Sequence, residues 1–285
     1  GLLIVSGRGM NVVWAQIWTL LSICGRLNNL KPYVLTTRSQ KHLNRYYKLL
    51  DINLIFFDDL VNCAHNVLPR HIGVIIENSF SFQDIRDLFI DNIPIGDIAL
   101  STYCRYNGTG LIDTADEATR LFIRQWINHI WNSIVVSTEL FNRFNIQASF
   151  HTEVFMEEYG GIYYAALNYG VDILRFCFTV RDDAFVIQHR SWKYDRLHHA
   201  ALSDETWHDL KSKLDIQLVI KELDKNFSDR YSNKWHRSKR NYIENSIQDP
   251  HEAREFLRLE PGRKIAVVYS HILYDTIFFF GTDLF

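Results

Sequence analysis

The sequence predicts an α/β protein built on a doubly wound parallel sheet. The first sixty residues alternate short apolar runs with helical periods in the order strand, helix, strand, helix, strand. Ala148 to Asp172 repeats that pattern: a short apolar segment, a polar loop, a helix-like run from Ile162 to Asn168, then Gly170 before an apolar strand from Val171 to Val180. The run from Leu2 to Val5 is continuously apolar rather than alternating, as in a strand covered on both faces.

Taken in order, Leu2 to Val5 is the first strand and Ser6-Gly7-Arg8-Gly9 ends it. Val13, Ile17, Leu20 or Leu21 and Cys24 share one side of a helix, with Asn11 as N-cap and Gly25 as stop. Tyr33 to Thr36 is the second strand. Ser39 caps a helix whose apolar face is Leu43, Tyr46 or Tyr47, and Leu50, and Ile52 to Phe57 is the third strand, ending at Asp58-Asp59. Residues 61 to 75 are mixed and lead into a strand from Gly73 to Ile76. Ser81 to Ile90 has helical spacing, which Pro94-Ile95-Gly96-Asp97 breaks. Thr114 and Glu117 form a capping box for a long helix with Phe122, Trp126 and Ile130 inward, continuing to about Phe141.

Tyr159-Gly160-Gly161 reads as a break ahead of the helix at Ile162. Ala184 to Gln188 alternates like a strand, and Ser203 opens a helix with Trp207, Leu210 and Leu214 in register. Lys221 to Asn245 reads as a solvated helical linker. Trp235 among Lys234, Arg237, Lys239 and Arg240 keeps a competing reading open, a surface for acidic lipid headgroups. Asp249-Pro250-His251-Glu252 starts a helix, and Ile265 to Tyr269 is a fresh strand. The expected organisation is a domain over 1–220, a linker over 221–262 and the start of a second domain over 263–285.

A chain of 285 residues, 47% hydrophobic and 22% charged, has the composition of a soluble globular protein. Its net charge of −2 offers no basic field, so nucleic acid is not an expected partner. Cys24, Cys63, Cys104 and Cys177 lie far apart without a CxxC pair and read as reduced core thiols of a cytoplasmic protein. No apolar run approaches the roughly 18 residues of a membrane span. A start without Met and an aromatic ending from Phe278 to Phe285 give the expectation of a cut from a longer chain.

Gly7-Arg8-Gly9 follows a strand, but Val12 stands where the dinucleotide fingerprint wants its third glycine, so a nicotinamide or flavin cofactor is not expected. Arg8 would still aim a cation at whatever enters the cleft. His151 and Glu153 sit at alternate positions beyond a strand, where either group can take a proton from a hydroxyl nucleophile; a solvated loop pair is the competing reading. Asp97 is a further candidate base. Glu157-Glu158 favour a helix N-terminus, and Tyr159, Tyr163 and Tyr164 read as sugar-stacking faces or as core. There is no HExxH, and His198-His199 with His208 lacks a further ligand, so no metal site is expected. Neither a GxSxG elbow nor a P-loop occurs.

Ile95-Gly96-Asp97 followed by Tyr103-Cys104-Arg105-Tyr106 resembles a segment of bacterial capsule and surface-polysaccharide biosynthesis glycosyltransferases. Glu158-Tyr159-Gly160-Gly161-Ile162 with Ala165-Ala166-Leu167-Asn168-Tyr169-Gly170-Val171 resembles the same family. The ending, Ser270-His271-Ile272-Leu273-Tyr274-Asp275, is similar to the first strand and loop of its carboxyl-terminal domain. The resemblance spreads over most of the chain through short motifs. It implies a GT-B architecture, two Rossmann-like domains across a cleft, with the amino-terminal domain on the acceptor side and a truncated donor-binding domain beginning near residue 263.

The resemblance further implies transfer from a nucleotide-sugar donor, a co-substrate, to a glycan or lipid-linked acceptor, with no cofactor and no metal. Its setting would be the cytoplasm, with peripheral association at the inner face of the membrane left open. Glu153, His151 and Asp97 are then the expected catalytic residues. Arg8, Asn11, Arg105, Tyr159, Gly160 and Tyr163 are expected to bind substrate, and His271 and Asp275 to lie at the domain junction. This stretch alone is expected to be inactive. A nucleotide-sugar epimerase and a non-catalytic carbohydrate-binding or assembly subunit are the alternatives.

Overall fold

The structure is a computed structural model that describes residues 1–6, 12–63, 68–77, 81–178, 185–198, 201–231 and 249–260. Leu2–Val5 (β1), Val12–Leu27 (α1), Pro32–Thr36 (β2), Lys41–Leu49 (α2) and Asn53–Phe56 (β3) form the first β-α-β-α-β run. An all-helical crossover follows: Phe57–Cys63 (α3), Arg70–Glu77 (α4), Phe82–Arg86 (α5), Ile95–Asn107 (α6) and Glu117–Phe144 (α7). It leads to Ala148–His151 (β4), Glu157–Tyr169 (α8), Asp172–Phe178 (β5) and Phe185–Arg190 (β6). A short 3-10 turn, Trp192–Tyr194, precedes Asp204–Lys211 (α9), Ile216–Tyr231 (α10) and Pro250–Phe256 (α11).

The six strands lie in the order β3-β2-β1-β4-β5-β6, and the pairs β1–β2, β1–β4, β2–β3 and β4–β5 are all parallel. This is the doubly wound, Rossmann-like arrangement that the sequence predicts. Helices cover both faces, and alternation along the strands sorts the side chains between them. Leu3, Val5, Leu35, Ile55 and Ile173 join the large core with α6, α7 and α8. Leu2, Ile4, Val34, Phe150 and Phe176 pack with Trp18 of α1 and Tyr47 of α2 on the other face. β1 and β2 therefore read as largely apolar runs because both of their faces are buried.

Several boundaries differ from the sequence expectation. Gly73 to Ile76 lies in helix α4, not in a strand: the Pro69 carbonyl accepts from the amides of Ile72 and Gly73, so the chain is already helical when it meets the β-branched run. The cap of α7 is Asp116, whose carboxylate accepts from the Thr119 amide at 2.8 Å, in place of Thr114. Gln40 precedes α2, while the Ser39 hydroxyl pairs with that of Thr37 at 2.7 Å. Gly25 lies inside α1, which continues to Leu27. Pro94 ends one segment and directly precedes α6, so Asp97 sits in a helical first turn. Ser203 and Gly170 do flank helices as expected, Ser203 accepting from the Thr206 amide and Gly170 taking a φ of 75° after α8.

The Tyr159-Gly160-Gly161 stretch is the larger correction. It is not a break but part of the first two turns of α8. A Cβ on Gly161 would stand 1.9 Å from Ser133 Oγ and 2.9 Å from the Ile130 carbonyl, and one on Gly160 would stand 2.8 Å from Ile98 Cγ2. The two glycines let α8 sit directly against α7 and α6, and that close packing fixes where the start of α8 meets the sheet.

The described residues form two compact units. Of the described residues, those up to 177 and 186–198 make up the first, and 178, 185, 201–231 and 249–260 belong to the second, which holds α9, α10 and α11. The strand expected at Ile265 to Tyr269 and the basic stretch around Trp235 lie outside the described residues. No helix among the described residues is long and apolar enough to cross a membrane.

Candidate functional site

Strand order reverses between β1 and β4, and in open α/β sheets a ligand crevice forms beyond the carboxyl ends of the strands at such a point. On the β1 side of that reversal a small cleft of about 10 Å³, room for about one water, lies beyond the ends of β1, β2 and β3. Ser6 follows β1, Thr36 and Thr37 end β2, Phe57 follows β3, and Glu158 and Tyr159 descend from the first turn of α8. The Thr36 hydroxyl donates to Asn44 Oδ1 at 3.0 Å and the Asn44 amide donates to the Thr37 carbonyl at 2.8 Å, so α2 fixes this wall.

Glu158 is the ionisable group of the cleft. Its side chain is 2% exposed, and its Oε2 lies 3.4 Å from His129 Nε2 of α7. It occupies the first turn of α8, where the helix dipole favours a carboxylate. The preceding residue, Glu157, adopts a positive φ of 53°, and its amide donates to Thr102 Oγ1 at 2.8 Å. That bond anchors the entry of α8 to α6. A non-glycine residue in this backbone region needs such support.

A second group of polar side chains lies buried between α8 and the β4–β5–β6 side of the sheet. His151, the last residue of β4, is fully enclosed. Phe150 points to the α1–α2 face, so Ser149 and His151 both point toward α8. His151 Nε2 pairs with Ser149 Oγ at 3.0 Å, and its ring meets Tyr163 edge-on at 5.8 Å. Burial, helped by the nearby Arg175 cation, pulls the His151 pKa down from 6.5 to about 3, so the imidazole is neutral.

Arg175 stands beside His151 in the β4–β5 register, and its Nε donates to the Thr152 carbonyl at 3.4 Å. Burial lowers its pKa, opposed by the charges of Cys177 and Glu153. Glu153 is thus the half-buried carboxylate beside Arg175 just beyond β4. Arg190 of β6 is 2% exposed and donates to the Tyr194 carbonyl at 2.8 Å and to Gln188 Oε1.

Asp97 joins the same layer from α6. Its Oδ2 pairs with Arg196 Nη1 at 2.8 Å, and burial raises its pKa against the opposing pull of Arg196. Arg196 in turn lies 4.0 Å from Asp195, whose carboxylate accepts from the Tyr164 hydroxyl and whose carbonyl accepts from the Tyr163 hydroxyl, each at 2.9 Å. A continuous run of contacts therefore links Asp97 to His151 through Arg196, Asp195, Tyr164 and Tyr163.

The residues selected from sequence separate accordingly. Asp97, His151 and Tyr163 share the buried layer, and Glu153 borders it through Arg175. Tyr163 and Tyr164 are enclosed rings with engaged hydroxyls, which makes them core side chains in this structure. Tyr159 lines the cleft, and Gly160 faces Ile98. Arg105 is exposed in the last turn of α6, apart from both groups. Arg8, Asn11, His271 and Asp275 lie outside the described residues.

The sequence places Glu158 beyond the strand end with His151 and Glu153 but gives it no catalytic role, and it singles out none of Arg175, Arg190, Asp195 and Arg196. One signal was available for Arg175: it alternates with Ile173 and Cys177 on one face of an otherwise apolar strand. No group of three or more His, Cys, Asp or Glu side chains suited to a metal ion occurs among the described residues. Comparison with protein-family models, with curated proteins and with solved structures gives no match.

Proposed function

We propose that this chain carries the acceptor side of a glycosyltransferase that moves a sugar from a nucleotide-sugar donor to a glycan or lipid-linked acceptor. The setting of that reading is bacterial surface-polysaccharide biosynthesis, in the cytoplasm at the inner face of the membrane. It rests on the motif resemblance and on a doubly wound sheet of the kind the family implies. The observation that carries it is the Glu158 carboxylate, enclosed beside the hydroxyl-bearing carboxyl ends of β1 and β2.

In the reaction, an acceptor hydroxyl oxygen forms a bond to the anomeric carbon while the bond from that carbon to the donor phosphate oxygen breaks. The nucleoside diphosphate leaves with the electron pair, and a carboxylate takes the hydroxyl proton. Glu158 in the cleft and Glu153 beyond β4 are the two carboxylates placed for this step. His151 and Asp97, enclosed and already partnered, act as positioning residues that hold α8 and the end of β4. Positioning of acceptor against donor supplies much of the rate in such a scheme.

The test is a transfer assay on the full-length protein that contains this chain, with a panel of labelled nucleotide sugars and with glycan and lipid-linked acceptors. Acceptor-dependent transfer supports the reading. Isomerisation of the donor sugar without an acceptor would instead identify an epimerase, and oligosaccharide binding without turnover a non-catalytic subunit; either result overturns it.

A further inference from the structure

A second cavity, of about 360 Å³, opens between α7, α8 and the turn at Ile90–Ile93. It sits near the far end of α8 from Glu158. The ten residues from Glu158 to Asn168 separate the two places by about 15 Å along the helix. The volume is that of a small-molecule site.

The walls are already set. Ile90 and Ile93 exchange both backbone hydrogen bonds, at 3.1 and 2.8 Å, across a tight turn whose central residues Asp91 and Asn92 have φ of 47° and 67°. The Asn168 amide of α8 donates to the Asp91 carbonyl at 3.1 Å and locks that turn to the helix. The Tyr169 hydroxyl donates to Asn142 Oδ1, tying α8 to α7 across the end of the cavity.

The chemistry divides into floor and rim. Ile93, Ile134 and Ala165 are buried and apolar, and Trp131 adds an aromatic surface. Asp91, Glu139, Asn142 and Asn168 stand exposed around them. The bonds just described leave Asn168 with its carbonyl oxygen as an acceptor and Asn142 with its amide N–H group as a donor. The lining carries two carboxylates and no cationic side chain, which opposes an anionic ligand such as a phosphate or a fatty acid. A purely aliphatic ligand would strip water from the rim without replacing its hydrogen bonds.

We propose that this cavity binds one unit of a neutral saccharide. The C–H face of a pyranose ring packs on the apolar floor beside Trp131, and its hydroxyls donate to Asp91, Glu139 and Asn168 and accept from Asn142. The proposal stands on the cavity alone and is independent of any reaction at the cleft.

The test is saturation-transfer NMR on the full chain with maltose, lactose and chitobiose, with choline and hexanoate as charged probes. At least one of the neutral disaccharides gives a saturable signal, and Glu139→Gln and Asn142→Ala each weaken its binding at least threefold. Both positions are exposed, so far-UV circular dichroism of the variants matches the parent. Binding unchanged in both variants, no signal from any of the three disaccharides, or preference for choline or hexanoate overturns the proposal.

Discussion

His151 of β4 and Arg175 of β5 stand side by side in the parallel register, both facing α8 and both buried, so an imidazole and a guanidinium share one enclosed layer. The imidazole can remain there only as the neutral form, since burial and the neighbouring cation both disfavour its protonation.

That arrangement predicts an acid-sensitive fold. Unfolded His151 takes a proton below about pH 6.5, whereas the folded residue stays neutral down to about pH 3. Its contribution is therefore fully present above pH 6.5 and is lost as pH falls toward 3. Between pH 6.5 and 5 this one residue removes about 2 kcal/mol. Urea unfolding of the parent and of His151→Gln at pH 7, 6 and 5 checks it: the variant has the shallower dependence on pH. Coincident slopes would assign the acid sensitivity to other groups.

The pair of Asp97 and Arg196 should be strongly coupled. Asp97→Asn removes the carboxylate 2.8 Å from a guanidinium whose side chain is 31% exposed. The expected cost is about 1–3 kcal/mol, below the figure for a fully buried pair because water reaches Arg196. A double-mutant cycle with Arg196→Met, read by chemical denaturation, should return a coupling of at least about 1 kcal/mol. Strict additivity would mean that the two charges act separately.

Gly161 and Gly160 should respond differently to the same methyl group. At Gly161 the new Cβ meets the Ser133 hydroxyl at 1.9 Å and the Ile130 carbonyl at 2.9 Å, so α7 and α8 must separate. Gly161→Ala is expected to cost about 1–3 kcal/mol or more. At Gly160 the new Cβ meets Ile98 Cγ2 at 2.8 Å, a less severe contact than the 1.9 Å one at Gly161, and alanine's helix preference offsets about 0.5–1 kcal/mol of it. Gly160→Ala should therefore melt well above Gly161→Ala, and the reverse order in thermal unfolding would contradict the packing described.

The sheet was legible because apolar runs that are covered on both faces look alike wherever they occur, and β1 and β2 are such runs. Local pattern failed where tertiary contact decided the outcome. Tyr159-Gly160-Gly161 looked like a chain break because glycine is a poor helix former, and nothing nearby in sequence reveals that Ser133 and Ile98 demand small residues there. Gly73 to Ile76 carried β-branched residues but had been committed to a helix at Pro69. In the candidate site, His151 and Glu153 were conspicuous as ionisable residues beyond a strand. Arg175, which stands beside both, comes from a later strand, and a single sequence does not say which charges meet. Glu158 looked ordinary because a carboxylate in the first helical turn is common; only the fold brings it beneath Ser6 and beside His129.

Glu158 is the carboxylate on which the proposed transfer most depends. The direct measurement is the acceptor-dependent transfer rate of Glu158→Gln in the full-length protein, an isosteric change, beside the parent and Glu153→Gln. The account predicts that Glu158→Gln lowers kcat/KM by at least about 100-fold while unfolding stays cooperative and the circular dichroism spectrum is unchanged. Transfer by Glu158→Gln within about twofold of the parent, a change in barrier under about 0.5 kcal/mol, would contradict it.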